Sequence, residues 1–250
     1  MSEDVLVFGI HAVRTLLRRH PQRVSRLLLQ KGREDARILE LQQLAKEHRV
    51  QVQWNEVSQL NKLAGGERHQ GACIYVRPAA VLGEGALDDL LDDLAEPPLL
   101  LILDGVQDPH NLGACLRTAD AVGANAVIVP RDRAAGLSPT VRKVASGAAD
   151  VLPLIQVVNL ARTLRWLKER GVWIVGTDDA AKQSLYECDL SGSLALVLGA
   201  EGAGLRRLTR DSCDVLASIP MQGVVESLNV SVAAGVGLFE ARRQRRQTGR

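Results

Sequence analysis

The chain has 250 residues, 46% hydrophobic and 24% charged, which is enough to bury a sizeable core in one or two domains. Its net charge of +2 is unevenly distributed, with 13 Lys/Arg against 8 Asp/Glu in residues 1–78, none against 6 in residues 79–96, and 18 against 15 in residues 97–250. Two mildly basic blocks around an acidic one fit a phosphate-bearing partner, although an ordinary solvated surface gives the same balance.

No apolar stretch is long enough to cross a bilayer, and the first twenty residues lack the apolar segment of a signal peptide. We therefore expect a soluble, cytoplasmic protein. The cysteines have no CxxC or CxxH spacing, so buried reduced thiols are expected and a metal site is not. The four cysteines are Cys73, Cys115, Cys188 and Cys213.

Residues 1–78 alternate between helix and strand patterns, which predicts a small α/β domain. The expected helices are 5–17, entered through Gly9, 35–48 and 58–63, and the expected strands are 24–29, 50–54 and 72–76. Basic residues on the first helix can bind RNA phosphates, although a solvated helix face explains them equally well. The candidate RNA-binding residues are Arg14, Arg18 and Arg19.

Residues 79–96 change in character, from small residues and glycine to an acidic segment that ends at Pro97-Pro98. A residue that precedes proline is disfavoured in the helical region, so a domain boundary is predicted here. We therefore expect an RNA substrate-binding domain at 1–78, an acidic linker at 79–96 and a second domain at 97–250.

Strands and helices alternate again in the second domain. The expected strands are 99–103, 126–129, 172–175, 194–197 and 215–219, and the expected helices are 111–122, 140–149, 160–169, 204–209 and 228–243. The strand segments are apolar without alternation, which is typical of strands covered on both faces. The pattern predicts a parallel α/β sheet with helices on both sides.

Three loops follow strands of this sheet and contain polar residues: 104–111, 199–204 and 219–229. Loops at the carboxyl ends of parallel strands form the ligand sites of α/β sheets. The glycine-rich segment 199–204 is not GxGxxG and does not follow the first strand, and no GK[ST] occurs. These absences disfavour a nicotinamide-dependent oxidoreductase and a phosphate-loop enzyme.

Segments 103–120 (LDGVQDPHNLGACLRTAD) and 196–202 (LVLGAEG), followed by Ile219-Pro-Met and Ser227-Leu-Asn-Val-Ser, resemble in order the motifs of one family. It is the SpoU/TrmH group of SPOUT RNA ribose 2′-O-methyltransferases. Phe8-Gly-Ile-His-Ala-Val and Arg68-His-Gln-Gly extend the resemblance over nearly the whole chain, toward members that methylate bacterial 23S ribosomal RNA. One departure is Glu226, where the family more often has a small residue.

The resemblance implies an S-adenosylmethionine-dependent enzyme that methylates a guanosine ribose 2′-hydroxyl in the P-site loop of the peptidyl-transferase region. It also implies a carboxyl-terminal SPOUT domain with a deep trefoil knot, an amino-terminal α/β domain of the L30e type, and a homodimer whose active site lies near the subunit interface. Residue patterns alone predict no knot, since chains rarely thread through their own loops. The alternatives are an enzyme of this family acting on transfer RNA and an RNA-binding module with an inactive catalytic half.

By the same resemblance, five residues are expected to be catalytic: Asn111, Arg117, Glu201, Ser227 and Asn229. Four are expected to contact the cofactor: Gly199, Ile219, Met221 and Leu228. Taken singly, a helical arginine, a loop carboxylate and two helix-capping residues have purely structural explanations. A ribose hydroxyl is a poor nucleophile, so methyl transfer requires positioning and stabilisation of negative charge. We expect the guanidinium of Arg117, which stays protonated in proteins, to supply both rather than to act as a base.

Overall fold

The structure, a computed structural model, describes residues 4–66 and 68–249 and divides the chain into two units. The first extends to Ala79 and also contains Ser146–Val151, and the second comprises Ala80–Ala145 and the chain from Leu152 onward. Segment 146–151 was expected in the second domain. It belongs to the first unit because Asp150 accepts a hydrogen bond from the backbone of Ala79 and its backbone carbonyl accepts one from Arg23.

The first unit contains a mixed four-stranded sheet in the order β1-β4-β2-β3, in which β2 and β3 are parallel. Its elements are β1 (Val5–Phe8), α1 (Ile10–Arg19), β2 (Val24–Gln30), α2 (Ala36–Glu47), β3 (Gln51–Asn55), α3 (Val57–Leu63) and β4 (Ala72–Val76). Leucines of α1 and α2 pack with the inward side chains of β2 and β4, and this cluster forms the core of the unit. The α/β class expected for residues 1–78 is confirmed.

The start of the first unit differs from the prediction, because Val5–Phe8 is a strand and not the first turns of a helix. These residues pair antiparallel with β4, from Val5 opposite Val76 to Phe8 opposite Cys73. Gly9 then adopts a φ of 95°, which favours glycine and ends the strand, and α1 begins at the next residue.

The second unit contains a seven-stranded sheet in the order β7-β6-β5-β10-β8-β11-β9, and all its pairs are parallel. Its strands are β5 (Leu99–Asp104), β6 (Ala126–Pro130), β7 (Leu154–Val157), β8 (Trp173–Thr177), β9 (Gln183–Ser184), β10 (Leu194–Gly199) and β11 (Val215–Ser218). Its helices are α4 (Gly85–Asp92), α5 (Pro109–Val122), α6 (Pro139–Ala145), α8 (Leu160–Glu169), α9 (Arg207–Arg210) and α10 (Val230–Gln247), while α7 (Ala148–Val151) lies in the first unit. The predicted parallel sheet is confirmed, with β7 and β9 in addition to the five expected strands.

Helices cover both faces of this sheet. Apolar residues of α4 and α8 pack on one face against alternate residues of the central strands. On the other face α10 contacts α5 and β10 so closely that a Cβ on Gly237 would lie 2.6 Å from Leu196. Helix α5 contacts α6 in the same way, since a Cβ on Gly113 would lie 2.7 Å from Val144. Glycine permits both approaches.

Residues 79–96 were expected to be a linker, whereas the structure folds most of them into the second unit. Leu82 forms a parallel bridge with Ile155, and Leu87 of α4 is 2% exposed in the core. The acidic side chains of this segment pair with arginines of α8 and the residue after it, as Glu84 does with Arg162. No helix in the described residues is long and apolar enough to cross a membrane.

Candidate functional site

The loop after β10 carries Glu201 and is tightly folded. A Cβ on Gly199 would lie 2.1 Å from the carbonyl carbon of Gly204, so only glycine fits there. The backbone N–H of Gly204 donates to the carbonyl of Ala200 at 2.8 Å. The loop is therefore compact, and it places Glu201 at the carboxyl end of the sheet.

Glu201 is the common acceptor of a hydrogen-bonded cluster formed by all three resembling segments. Its Oε1 accepts from Nδ2 of Asn229 at 2.6 Å, from Nδ2 of Asn111 at 3.1 Å and from the backbone N–H of Val230 at 3.4 Å. Asn229 Nδ2 also donates to Asn111 Oδ1 at 2.9 Å. Three of the five predicted catalytic residues are thus in direct contact, although 118 positions separate Asn111 from Asn229 in the sequence.

The two asparagines owe their positions to helix starts. Asn229 is the N-cap of α10, and its Oδ1 accepts from the backbone N–H of Ser231 at 2.9 Å and from the hydroxyl of Ser231 at 2.6 Å. Its amide remains available for Glu201, so capping and site formation use different atoms of one side chain. Asn111 lies in the first turn of α5, which begins two residues earlier than expected because Asp108 caps it and Pro109 occupies its first position.

A crevice of about 410 Å³ opens beside Glu201 at the carboxyl ends of β8 and β10. All four predicted cofactor residues line it, and so do Glu201 and Ser227. Glu226, the departure from the family pattern, also lines the crevice. The predicted cofactor residues that line it are Gly199, Ile219, Met221 and Leu228.

A second cavity of about 290 Å³ lies on the α5 side of Glu201. It is lined by the loop after β5, including Gly105 and Gln107, together with Asn111, Glu201 and Val230. Because Glu201 and Val230 line both cavities, the cluster forms the boundary between them.

Arg117 is not part of the cluster. It is exposed on α5, six residues beyond Asn111. Six residues of α-helix correspond to about 240° of rotation and about 9 Å of rise, so the two side chains leave the helix on different sides. Ser227 lies at the crevice without joining the hydrogen bonds around Glu201.

Two ion pairs of the site were missed by the sequence analysis. The carboxylate of Asp104, at the end of β5, accepts from the backbone N–H and the guanidinium of Arg206. Asp178 pairs with Arg210 at 2.8 Å in the wall of the crevice. The sequence did contain one signal for the first pair, because Asp104 is the last residue of an otherwise apolar strand. A carboxylate buried in such a place needs a charged or hydrogen-bonding partner.

Cys115 and Cys213 are unsuited to nucleophilic chemistry. Burial raises the pKa of the Cys115 thiol in α5 to about 12, and burial likewise raises the pKa of Cys213 to about 12. Both stay protonated near neutral pH, and a thiol is a much weaker nucleophile than a thiolate. Neither thiol is therefore a candidate nucleophile.

The candidate RNA-binding arginines lie on α1 of the first unit, where an acidic residue of α2 partly neutralises them. Arg14 and Arg18 both pair with Glu40, at 2.8 and 2.7 Å. Arg19 is exposed at the end of α1. The three residues thus present less positive charge than their number suggests.

The Arg68-His-Gln-Gly segment forms a structured turn in the first unit. His69 Nδ1 accepts from the backbone N–H of Gly71 at 3.0 Å, and Nε2 donates to Asn61 at 2.9 Å. Burial, and secondarily the charge of Arg33, lowers the pKa of His69. Gln70 accepts from the backbone N–H of Ile10 at 3.2 Å, which ties this turn to the start of α1.

Comparison with known proteins matches both parts of the chain. Residues 98–239 match the SpoU rRNA Methylase family, and residues 6–82 match the family described as RNA 2′-O ribose methyltransferase substrate binding. The chain is 56% identical over 245 residues to the 23S rRNA (guanosine-2′-O-)-methyltransferase RlmB of Pseudomonas syringae, with 98% of each chain covered. It is 54% identical to RlmB of Escherichia coli, with 98% of this chain and 100% of that one covered.

Solved structures agree with these matches. The SpoU methyltransferase AviRb from Streptomyces viridochromogenes, in complex with S-adenosylmethionine (AdoMet), has a TM-score of 0.68 at 26% identity and covers 98% of this chain and 92% of its own. The AdoMet-bound rRNA methyltransferase from Sinorhizobium meliloti has a TM-score of 0.64 at 25% identity, with 96% and 87% covered.

Proposed function

The chain belongs to the SpoU rRNA methylase family, and on that premise we propose that it transfers a methyl group from AdoMet to the ribose 2′-hydroxyl of a guanosine in 23S ribosomal RNA. The observation that carries the proposal is the contact of Asn111, Glu201 and Asn229 beside a crevice that all four predicted cofactor residues line. The names of relatives at 54–56% identity over 98% of the chain supply the substrate class.

The crevice fits the cofactor in size and chemistry. Its volume of about 410 Å³ lies in the range of small-molecule sites, and its apolar residues Ile219, Met221 and Leu228 suit an adenine ring. Gly199 lines the crevice, and its missing side chain lets the backbone of Gly204 pack against it, which shapes this edge of the crevice. When bound, AdoMet supplies a methyl group activated by a sulfonium centre.

The residues of the chain contribute positioning and electrostatics. Glu201 orients the two asparagine amides, and its own second carboxylate oxygen remains able to accept a proton or a hydrogen bond. Asn111 lines the second cavity, where we place the acceptor ribose, and Glu201, which lines both cavities, borders donor and acceptor alike. A positioned Arg117 stabilises the developing negative charge on the attacking oxygen.

We further propose a division of labour and a homodimer. The first unit binds RNA, with Arg14, Arg18 and Arg19 contributing, and the second performs the transfer. Exposed apolar side chains two turns apart on α10, Val232 and Phe239, support a subunit interface on this helix. The proposed carboxyl-terminal trefoil knot and the cytoplasmic location rest on the family and on the ribosomal substrate.

The test is transfer of radiolabelled methyl from AdoMet to 23S ribosomal RNA from a strain that lacks this modification, offered free and as an assembling large subunit. Label on one guanosine ribose, mapped by primer extension at low nucleotide concentration and absent with Glu201→Ala, is the expected result. The same assay with transfer RNA in place of ribosomal RNA tests the alternative that the enzyme methylates transfer RNA. Label on transfer RNA alone, or on neither, would overturn the proposal.

A further inference from the structure

The most deeply buried charge of the second unit lies directly beneath the site. The side chain of Asp104 has no exposed surface, and its Oδ2 accepts from the backbone N–H of Arg206 at 3.0 Å. Its Oδ1 lies 2.5 Å from both Nε and Nη2 of Arg206, a two-pronged contact that orients the guanidinium. Arg206 is 45% exposed, so one partner is buried and the other reaches solvent.

This pair joins the walls of the two cavities. The residue after Asp104, Gly105, lines the second cavity, and the residue before Arg206, Leu205, lines the crevice. Leu205 also ends the tight loop that carries Glu201. The pair therefore fixes the far end of that loop to the end of β5, the strand whose following loop leads to Asn111.

Burying a carboxylate carries a desolvation cost, and a buried ion pair is weak evidence of a gain in stability. A better reason for this one is geometric, because the pair attaches one end of the Glu201 loop to a carboxylate that has no exposed surface. A displacement of the loop by about 1 Å costs up to about 100-fold in rate when reacting groups must be aligned.

We infer that Asp104 and Arg206 are positioning residues for methyl transfer, which act by holding the Glu201 loop between the cofactor crevice and the acceptor cavity. The inference rests on the proposed function. It predicts that loss of the pair lowers kcat and weakens AdoMet binding in protein that remains folded.

A matched ion pair elsewhere in the same unit provides the control. Asp214 accepts from the backbone N–H of Ile174 at 2.8 Å and from Nζ of Lys168 at 2.8 Å, which is the same combination of donors, and it lines neither cavity. Asp104→Asn and Asp214→Asn each remove one charge, and Arg206→Ala and Lys168→Ala each remove the cation.

The measurements are the AdoMet dissociation constant by calorimetry, single-turnover methylation rates, the KM for RNA and the thermal unfolding midpoint of the full chain. We expect Asp104→Asn and Arg206→Ala to lower kcat by about 10- to 100-fold and to weaken AdoMet binding several-fold, with KM for RNA little changed. Arg206→Lys should recover part of the loss, since it keeps charge and backbone donor. The double variant should lose no more than either single one, because the pair acts as a unit.

Equal kinetic effects in the Asp104 and Asp214 variants, or unchanged kcat and AdoMet affinity in folded Asp104→Asn, would overturn the inference. If Asp104→Asn does not fold, Arg206→Ala is compared with Lys168→Ala instead, because both cations are partly exposed and their removal is better tolerated by the fold. Equal kinetic effects of these two variants would overturn the inference as well. Failure of the wild-type protein to bind AdoMet would refute the proposed function instead.

Discussion

Arg117 provides the sharpest test of how the proposed site is completed. Its side chain projects from α5 about 240° around the helix axis from that of Asn111. In this geometry it does not reach the Glu201 cluster of its own subunit. Helix α5 packs beside α10, the helix with the exposed Val232 and Phe239. We therefore predict that Arg117 acts in the site of the partner subunit of the proposed homodimer.

The assay uses heterodimers purified through two different affinity tags. One subunit carries Arg117→Ala and the other carries Glu201→Ala. Each corresponding homodimer is expected to lose on the order of 100-fold in kcat, the first because it lacks a donor to the developing negative charge and the second because the asparagine amides lose their common acceptor. If Arg117 acts across the interface, one of the two sites receives both intact residues. The heterodimer should then recover about half of the wild-type single-turnover rate in a two-fold symmetric dimer.

A heterodimer of Arg117→Ala with a wild-type subunit is the control. It has one intact site whether Arg117 acts within its own subunit or across the interface, so it should also show about half of the wild-type rate. A mixed Arg117/Glu201 heterodimer that stays near the residual rate of its parents, while this control is active, would refute the reasoning. Arg117 would then act within its own subunit after a rearrangement of α5.

Three further predictions concern other parts of the chain. The free energy of unfolding of a fragment of residues 80–250 should exceed that of a fragment of residues 97–250 by about 2–3 kcal/mol, because the shorter fragment lacks the buried Leu87. Equal midpoints of urea unfolding would contradict this. Glu40→Gln should release two arginines of α1 and steepen the salt dependence of RNA binding by about one counterion, and an unchanged slope would count against their role. Because burial lowers the pKa of His69, protonation favours the unfolded chain, so the free energy of unfolding should fall as the pH decreases through about 6.5. Unfolding curves of wild type and His69→Gln between pH 5 and 8 check this, and the variant should show the weaker dependence.

Much of the second unit was predictable from local pattern. Five of its strands are unbroken apolar runs, and such runs occur where both faces of a parallel sheet are covered. Leu154–Val157 escaped notice because it is four residues long and contains a glutamine. Val5–Phe8 was mistaken for helix because its apolar run continues without a polar break into the helical pattern of α1, and the positive φ of Gly9 that separates them is not visible in periodicity.

The candidate site was only partly predictable. The resemblance identified Asn111, Glu201 and Asn229, and the structure places them in contact. The pairing of Asp104 with Arg206 had no sequence signal beyond a carboxylate at a strand end, because its partner lies 102 residues away. Arg206 reaches Asp104 because β10, the strand that precedes it, pairs with β5 in the sheet. Pairing between segments so far apart in the sequence is not visible in local pattern.

The strand order also explains why the site lies where it does. Strand β8 separates β10 from β11, and adjacent strands are about 4.8 Å apart, so the chain leaves β11 about 10 Å from β10. It must return across the end of β8 before α10 begins at Val230, because Asn229 contacts Glu201. The crevice is lined by Thr177 and Asp178 at the end of β8 and by Ile219, Met221 and Leu228 of the returning segment. The proposed cofactor site therefore does not depend on a single strand–helix turn. A chain that returns over a neighbouring strand in this way brings two distant loops together, and this contact requires no glycine-rich fingerprint at the first turn of the sheet, where Asn111 instead contributes a polar side chain to the same cluster.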